Sequence, residues 1–130
     1  MAHPEASLGM KIIELIKLIN INLNHFPKHE KYGLCQKIRQ AAYDVFEMSV
    51  ECQKRYHKKT TLSALDIRHE QLRMLLRVAF EMEYFSYHHN RYTRSEQEAM
   101  RRYLAVSALV NEVGAMIGGW IKSEIQREGH

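Results

Sequence analysis

The sequence predicts an all-α protein, an antiparallel up-down-up-down four-helix bundle, and three observations carry that prediction. No proline follows Pro27, and glycine is held to six residues in 130, so most of the chain contains no strong helix breaker. Valine and threonine are too sparse to suggest strands. Apolar residues recur at steps of three and four, the spacing that gathers side chains on one helical face. The length suits a single domain over residues 1–130, large enough to bury a core without metal or disulfide staples.

Residues 1–6 are expected to be a frayed leader. The first helix, expected over 7–25, carries Leu8, Ile12, Leu15, Ile16, Ile19 and Leu23 on one stripe, while Ile13, Leu18 and Ile21 fall outside it. Phe26 and Pro27 make the turn, since the residue before proline avoids helical geometry and proline suits the first helical position. The stretch from Phe26 to Tyr56 then predicts one uninterrupted helix, placed at 28–58. Leu34, Ile38, Ala41, Val45, Met48, Cys52 and Tyr56 form its main face, and Cys35, Ala42, Tyr43, Phe46 and Val50 sweep a second apolar arc. A helix apolar over more than half its circumference needs neighbours on two sides, so a second copy of the chain is expected against it.

The third helix is expected over 62–87, with Ser63 and Asp66 as a capping box and Thr60 or Thr61 as competing caps. Its polar arc is narrow, and Arg73 and Arg77 stand on it. Residues 87–92 form the next connection. Thr93 and Glu96 give the clearest capping box, ahead of a fourth helix over 94–127. That helix has Tyr103, Val106, Val110, Val113, Ile117 and Trp120 on one broad face, with Ser107, Gly114 and Gly118 opposite part of it. Small residues at that spacing admit a close helix, so Gly118→Leu is expected to push two helices apart.

Two patches go beyond periodicity. The run from Phe26 to Leu34, FPKHEKYGL, continuing to Ile38-Arg39-Gln40-Ala41-Ala42, resembles the opening of the second helix in the four-helix-bundle family that includes the ribosomal-RNA intervening-sequence proteins. Glu112-Val113-Gly114 through Gly118-Gly119-Trp120-Ile121 resembles the last-helix signature of the accessory variability determinant (Avd) proteins of diversity-generating retroelements. Leu72-Arg73-Met74-Leu75-Leu76-Arg77 is similar to the third helix of the same branch. Tyr43 to Glu47 continues the second helix where the intervening-sequence branch breaks it, which favours Avd. The resemblance implies a ring-like homopentamer that binds RNA or DNA and works beside the retroelement reverse transcriptase in making mutagenic cDNA.

The residues suggest no catalytic site. There is no Gly-rich phosphate loop, no nucleophile elbow and no Cys/His pair at a family spacing. Asp66 and His69 make one acid-x-x-His step of the kind di-iron bundles use twice, and no second accompanies it, so neither metal nor cofactor is expected and His69 is placed at the core edge. Cys35 and Cys52 share one predicted helix, roughly 25 Å apart at ~1.5 Å per residue, so both thiols are expected free. No signal segment and no apolar run approaching the ~20 residues of a bilayer span are recognised, which predicts a cytoplasmic protein with no membrane contact.

Nineteen Lys and Arg against fifteen Asp and Glu leave +4, a mild basic excess. Arg55 follows Glu51 by four and is expected to form an exposed pair. Arg73 and Arg77, like charges four apart, are the first candidates for an acidic partner, with Glu70 and Glu81 as the alternative that neutralises them in place. Arg91, Arg94, Arg101 and Arg102 form a second basic cluster, and His57, Lys58 and Lys59 a third. His88 and His89, with Phe85, Tyr87 and Tyr92, are expected to plug one bundle end, base stacking being the alternative. A bundle that only scaffolds proteins is the competing function.

Overall fold

The structure, a computed structural model, describes residues 4–128, with side chains from 7 to 127. Four helices make the fold: α1 (Pro4–Leu23), α2 (Leu34–Lys54), α3 (Lys59–Glu81) and α4 (Glu96–Glu128). Each packs on the next, and α4 closes back on α1, which is the up-down-up-down bundle expected from short connections. The seam is built from the predicted stripes. Leu8, Ile12, Leu15 and Ile19 of α1 meet Ile38 and Val45 of α2, Leu62, Leu65 and Leu72 of α3, and Val106, Val113 and Ile117 of α4, all essentially inaccessible to solvent. Burying each such side chain is worth about 1.5–3 kcal/mol, so the seam dominates stability.

The first end of the bundle departs from the predicted boundaries. Helix already covers residues 4–6, which were expected in a leader; residues 1–3 lie outside the described part. The single helix expected from 28 is broken. Pro27 sets a 3-10 turn at Lys28–Glu30, and α2 starts only after Gly33. The cause is the Glu30 side chain, which reaches forward so that its carboxylate accepts the Leu34 N–H at 3.2 Å and the Tyr84 hydroxyl at 2.6 Å. A Cβ on Gly33 would stand 2.5 Å from Glu30 Oε1, so glycine leaves room for this cap.

At the other end, α2 stops at Lys54 and α3 begins at Lys59 with no side-chain cap, so neither Ser63 with Asp66 nor Thr60 or Thr61 starts the helix. The third helix also ends six residues short of expectation. Glu83 takes a left-handed conformation, φ 64°, turning the chain into a second 3-10 turn at Tyr84–Ser86. Then comes an element the all-helical expectation did not contain, a two-stranded antiparallel ribbon, β1 (Tyr87–His88) and β2 (Arg91–Tyr92). His89 and Asn90 join the strands with positive φ at both positions, the geometry that twists a two-residue hairpin the right way. The fourth-helix cap shifts as well. Ser95 Oγ accepts the Glu98 N–H, while Thr93 Oγ1 donates to the Ser86 carbonyl, so Thr93 fastens the hairpin rather than capping α4.

Three further expectations meet the structure on α2 and α4. Cys35 and Cys52 are both free and buried, and burial pushes the Cys52 thiol up to about 11. A Cβ on Gly114 would meet the His69 ring at 2.8 Å, whereas nothing in the chain lies within 4 Å of one on Gly118. Gly118 therefore faces outward, and the expected damage from Gly118→Leu has no basis within one chain. Finally, Glu96–Arg127 is long and apolar enough to cross a membrane by length and composition, with mean hydropathy 1.5 over its most apolar window. The expectation that no run approaches that length is corrected: exposed Leu104, Ala108, Ala115 and Gly118 extend the apolar character of α4 beyond its buried face.

The Glu30 cap makes stability depend on pH at both ends. Hydrogen bonds from Tyr84 and Leu34 hold the Glu30 carboxyl below its ordinary 4.5, so its contribution is complete above that value and is lost as pH falls through the folded value. Tyr84 is pushed from 10 up to about 12, chiefly by its bond to Glu30, so its contribution is complete below pH 10 and is lost as pH rises toward 12. Glu30→Gln should cost about 1 kcal/mol at pH 7 and flatten both flanks, a difference that urea melts across pH 3 to 11 will detect. Unchanged flanks would show that other groups set them.

Candidate nucleic-acid interface

The eight candidate cations separate into those the fold uses and those it leaves free. Lys58 lies just past α2, and its ammonium donates to the carbonyls of Cys52, Gln53 and Arg55 at 2.6, 3.2 and 2.8 Å. These are carbonyls that a helix end leaves without partners, where a cation also offsets the negative end of the helix dipole. The same ammonium lies 6.0 Å from the Trp120 ring centre, so the residue sits between α2 and α4. Lys59, its neighbour, is exposed and forms no ion pair among the described residues.

Arg102 is likewise committed. Its side chain is only 19% exposed, and Nη1 donates to the carbonyls of Phe85 and Tyr87 at 3.2 and 3.1 Å, tying α4 to the ribbon. Arg101 is exposed and pairs with Glu98. The sequence placed both arginines together, and the structure gives one an internal role and the other a surface one.

Arg73 and Arg77 each take the acid named as the alternative. Arg73 Nε lies 2.9 Å from Glu70 Oε2, and Arg77 Nε lies 2.8 Å from Glu81 Oε1. All four side chains are about half exposed, and pairs of that kind contribute little to stability and open readily. What surrounds them is less ordinary. Arg77 stands 5.9 Å from the Phe80 ring centre, Phe80 stacks on Tyr103 of α4 at 4.3 Å, and Tyr103 meets Phe85 edge-on at 5.5 Å. The arginine pair thus flanks an aromatic file that crosses from α3 to α4.

Arg91 and Arg94 are exposed and form no ion pair among the described residues. They lie on either side of Tyr92, itself 45% exposed with its hydroxyl donating to Glu83 at 3.1 Å. The aromatic cluster near His88 divides accordingly. Tyr84 and Phe85 are buried and close the bundle against Phe26, whereas Tyr92 stays outside with the two arginines. The plug was expected of the whole cluster, and Phe85 and the half-buried Tyr87, which meets Tyr84 edge-on at 6.1 Å, belong to it, while His88, His89 and Tyr92 stay exposed.

One arrangement escapes a reading of the sequence, and one matches it. His25, at the end of α1, stacks on His88 at 4.5 Å and meets His89 edge-on at 4.6 Å, because the hairpin folds back onto it. His69 is buried and its Nε2 lies 2.8 Å from the Val110 carbonyl, which is the core-edge role expected of it.

A family model described as bAvd-like matches residues 8–124. No curated protein and no solved structure matches the chain.

The two adjacent lysines should behave oppositely on substitution. Lys58→Ala should lower stability by about 1–2 kcal/mol, since it strands three carbonyls at the end of α2, while Lys59→Ala should be neutral within ~0.5 kcal/mol. Urea denaturation of the two variants checks this, and equal effects would refute the capping role.

Proposed function

The chain belongs to the bAvd-like family, and from that premise we propose that it is a non-enzymatic accessory subunit of a diversity-generating retroelement. In this reading it binds RNA or DNA and acts with the reverse transcriptase in mutagenic cDNA synthesis in the cytoplasm. The observation that carries the nucleic-acid half is the pair Arg91 and Arg94, cations without acidic partners among the described residues, set around exposed Tyr92. Guanidinium groups make forked contacts with phosphate, and a tyrosine face accepts any unpaired base by stacking. The chain carries no groove-reading motif, so recognition without strong base preference follows.

Assembly supplies the rest of the field. Ile67, Met74, Val78 and Met82 leave an apolar stripe along the outside of α3, and Tyr43 and Val50 add to it from α2. A groove of about 520 Å³ between the two helices is lined by Ala41, Met74, Leu75 and Val78. Monomers rarely expose so continuous a patch, which supports a homo-oligomer, a pentamer in this family reading. The surplus was expected on the first two helices, and the other two expose as much, Ile67, Met74 and Val78 on α3 and Met100, Leu104 and Ile125 on α4. Repeating +4 per chain around a ring would build a collective field that one copy lacks.

The competing scaffold reading draws on the glutamates that neutralise Arg73, Arg77 and Arg101. Salt separates the two, because phosphate neutralisation releases counterions and protein scaffolding does not. Replacing Arg91 and Arg94 by glutamine should leave the melting temperature unchanged. It should also flatten the slope of log affinity for single-stranded RNA against log salt by ~0.7 per arginine. Replacing Arg73 and Arg77 instead should lower co-purification with the reverse transcriptase more than RNA binding. Salt-independent association, or no RNA binding by the unaltered chain, would favour the scaffold.

A further inference from the structure

We propose that His25, His88 and His89 form a binding site for a divalent transition metal, zinc foremost, which staples the hairpin to the end of α1. The three imidazoles come from two distant segments, and one ligand atom from each lies within 4.8 Å of the others. Zinc–nitrogen bonds of ~2.0–2.1 Å place tetrahedral ligand atoms about 3.3 Å apart, so closure needs a shift of roughly 1–1.5 Å. His88 and His89 are exposed and free to make it, while His25 is half-buried and held in place.

The donor chemistry suits such an ion. His25 Nδ1 accepts the backbone N–H of His89 at 3.1 Å, so its lone pair already points at the hairpin and the ring is neutral, with its proton on Nε2. An incoming ion takes the place of that N–H, which turns to solvent, and no proton has to leave His25. Three nitrogens without a carboxylate favour zinc, nickel or copper(II) over magnesium and calcium. A water completes the tetrahedron. Of the charged groups facing the cluster from α4, Arg102 opposes the ion and Glu98, which senses His88, offsets it.

The site has a structural consequence even without chemistry of its own. The hairpin meets the α1 end through the ring contacts of His25 with His88 and His89 and two hydrogen bonds, His89 N–H to His25 Nδ1 and Asn90 N–H to the His25 carbonyl at 3.2 Å. A three-coordinate staple would hold that ribbon far more firmly, and with it the Arg91 and Tyr92 side chains.

The test is calorimetric titration of zinc chloride into the full-length chain at pH 7.5 after removal of metal with a chelator, with cobalt(II) absorption reporting coordination geometry. One saturable ion per chain is expected, weakened at least tenfold by His25→Gln and by His88→Gln, and unaffected by His57→Gln at the opposite end. His88 is exposed, so His88→Gln stays informative even where His25→Gln disturbs the α1 end, and circular dichroism checks the fold of both. No saturable uptake below about 100 µM zinc would overturn the proposal, as would uptake that survives His88→Gln.

Discussion

One carboxylate at Glu30 holds together the end of the bundle on which the remaining surface features are mounted. It caps the start of α2 and accepts the Tyr84 hydroxyl from the connection after α3, two segments far apart in sequence. Phe26 then packs against Tyr84 and Phe85 at 5.8 and 5.2 Å, and Arg102 takes the carbonyls of Phe85 and Tyr87. Each contact fixes the direction in which the chain leaves α3 and enters the ribbon. The hairpin that presents Arg91 and Tyr92 is therefore set by a buried aromatic plug and one ionised side chain, rather than by its own two short strands, which would be marginal alone.

Counting basic residues overstates what a helical bundle offers to an acidic partner. Lys58 ends a helix, Arg102 fastens a loop, and Arg73, Arg77 and Arg101 stand beside glutamates three or four residues away. Only the cations whose local helical or loop context supplies no carbonyl or carboxylate keep their full charge for a partner. Arg91 and Arg94 meet that condition, since both are exposed and form no ion pair among the described residues. The exposed pairs on α3 remain a second resource, since a half-solvated ion pair exchanges one carboxylate for another group at little cost.

Helical periodicity made the bundle and nearly all of its core legible, since Leu8, Ile38, Leu65, Val106 and their repeats announce one buried stripe per helix. The breaks were less legible, for a physical reason. Gly33 opens α2 because the Glu30 side chain reaches forward past it to the Leu34 N–H, and Glu83 turns left-handed without a glycine to mark it. Long-range pairing hid the rest. Nothing in the order of residues places His25 beside His88, or gives Lys58 three carbonyls of the preceding helix. The candidate surface was legible as a set of basic clusters, but which members the fold consumes is decided by tertiary contacts.

The central claim is that nucleic acid meets this protein at the hairpin end, around Tyr92 and the two unpaired arginines. Ultraviolet crosslinking of the full-length chain to a single-stranded RNA, followed by peptide mapping, tests it most directly. The account predicts crosslinks at Tyr92 and its neighbours in residues 88–94. Crosslinks concentrated instead at Tyr56 and Trp120, at the opposite end of the bundle, would contradict it.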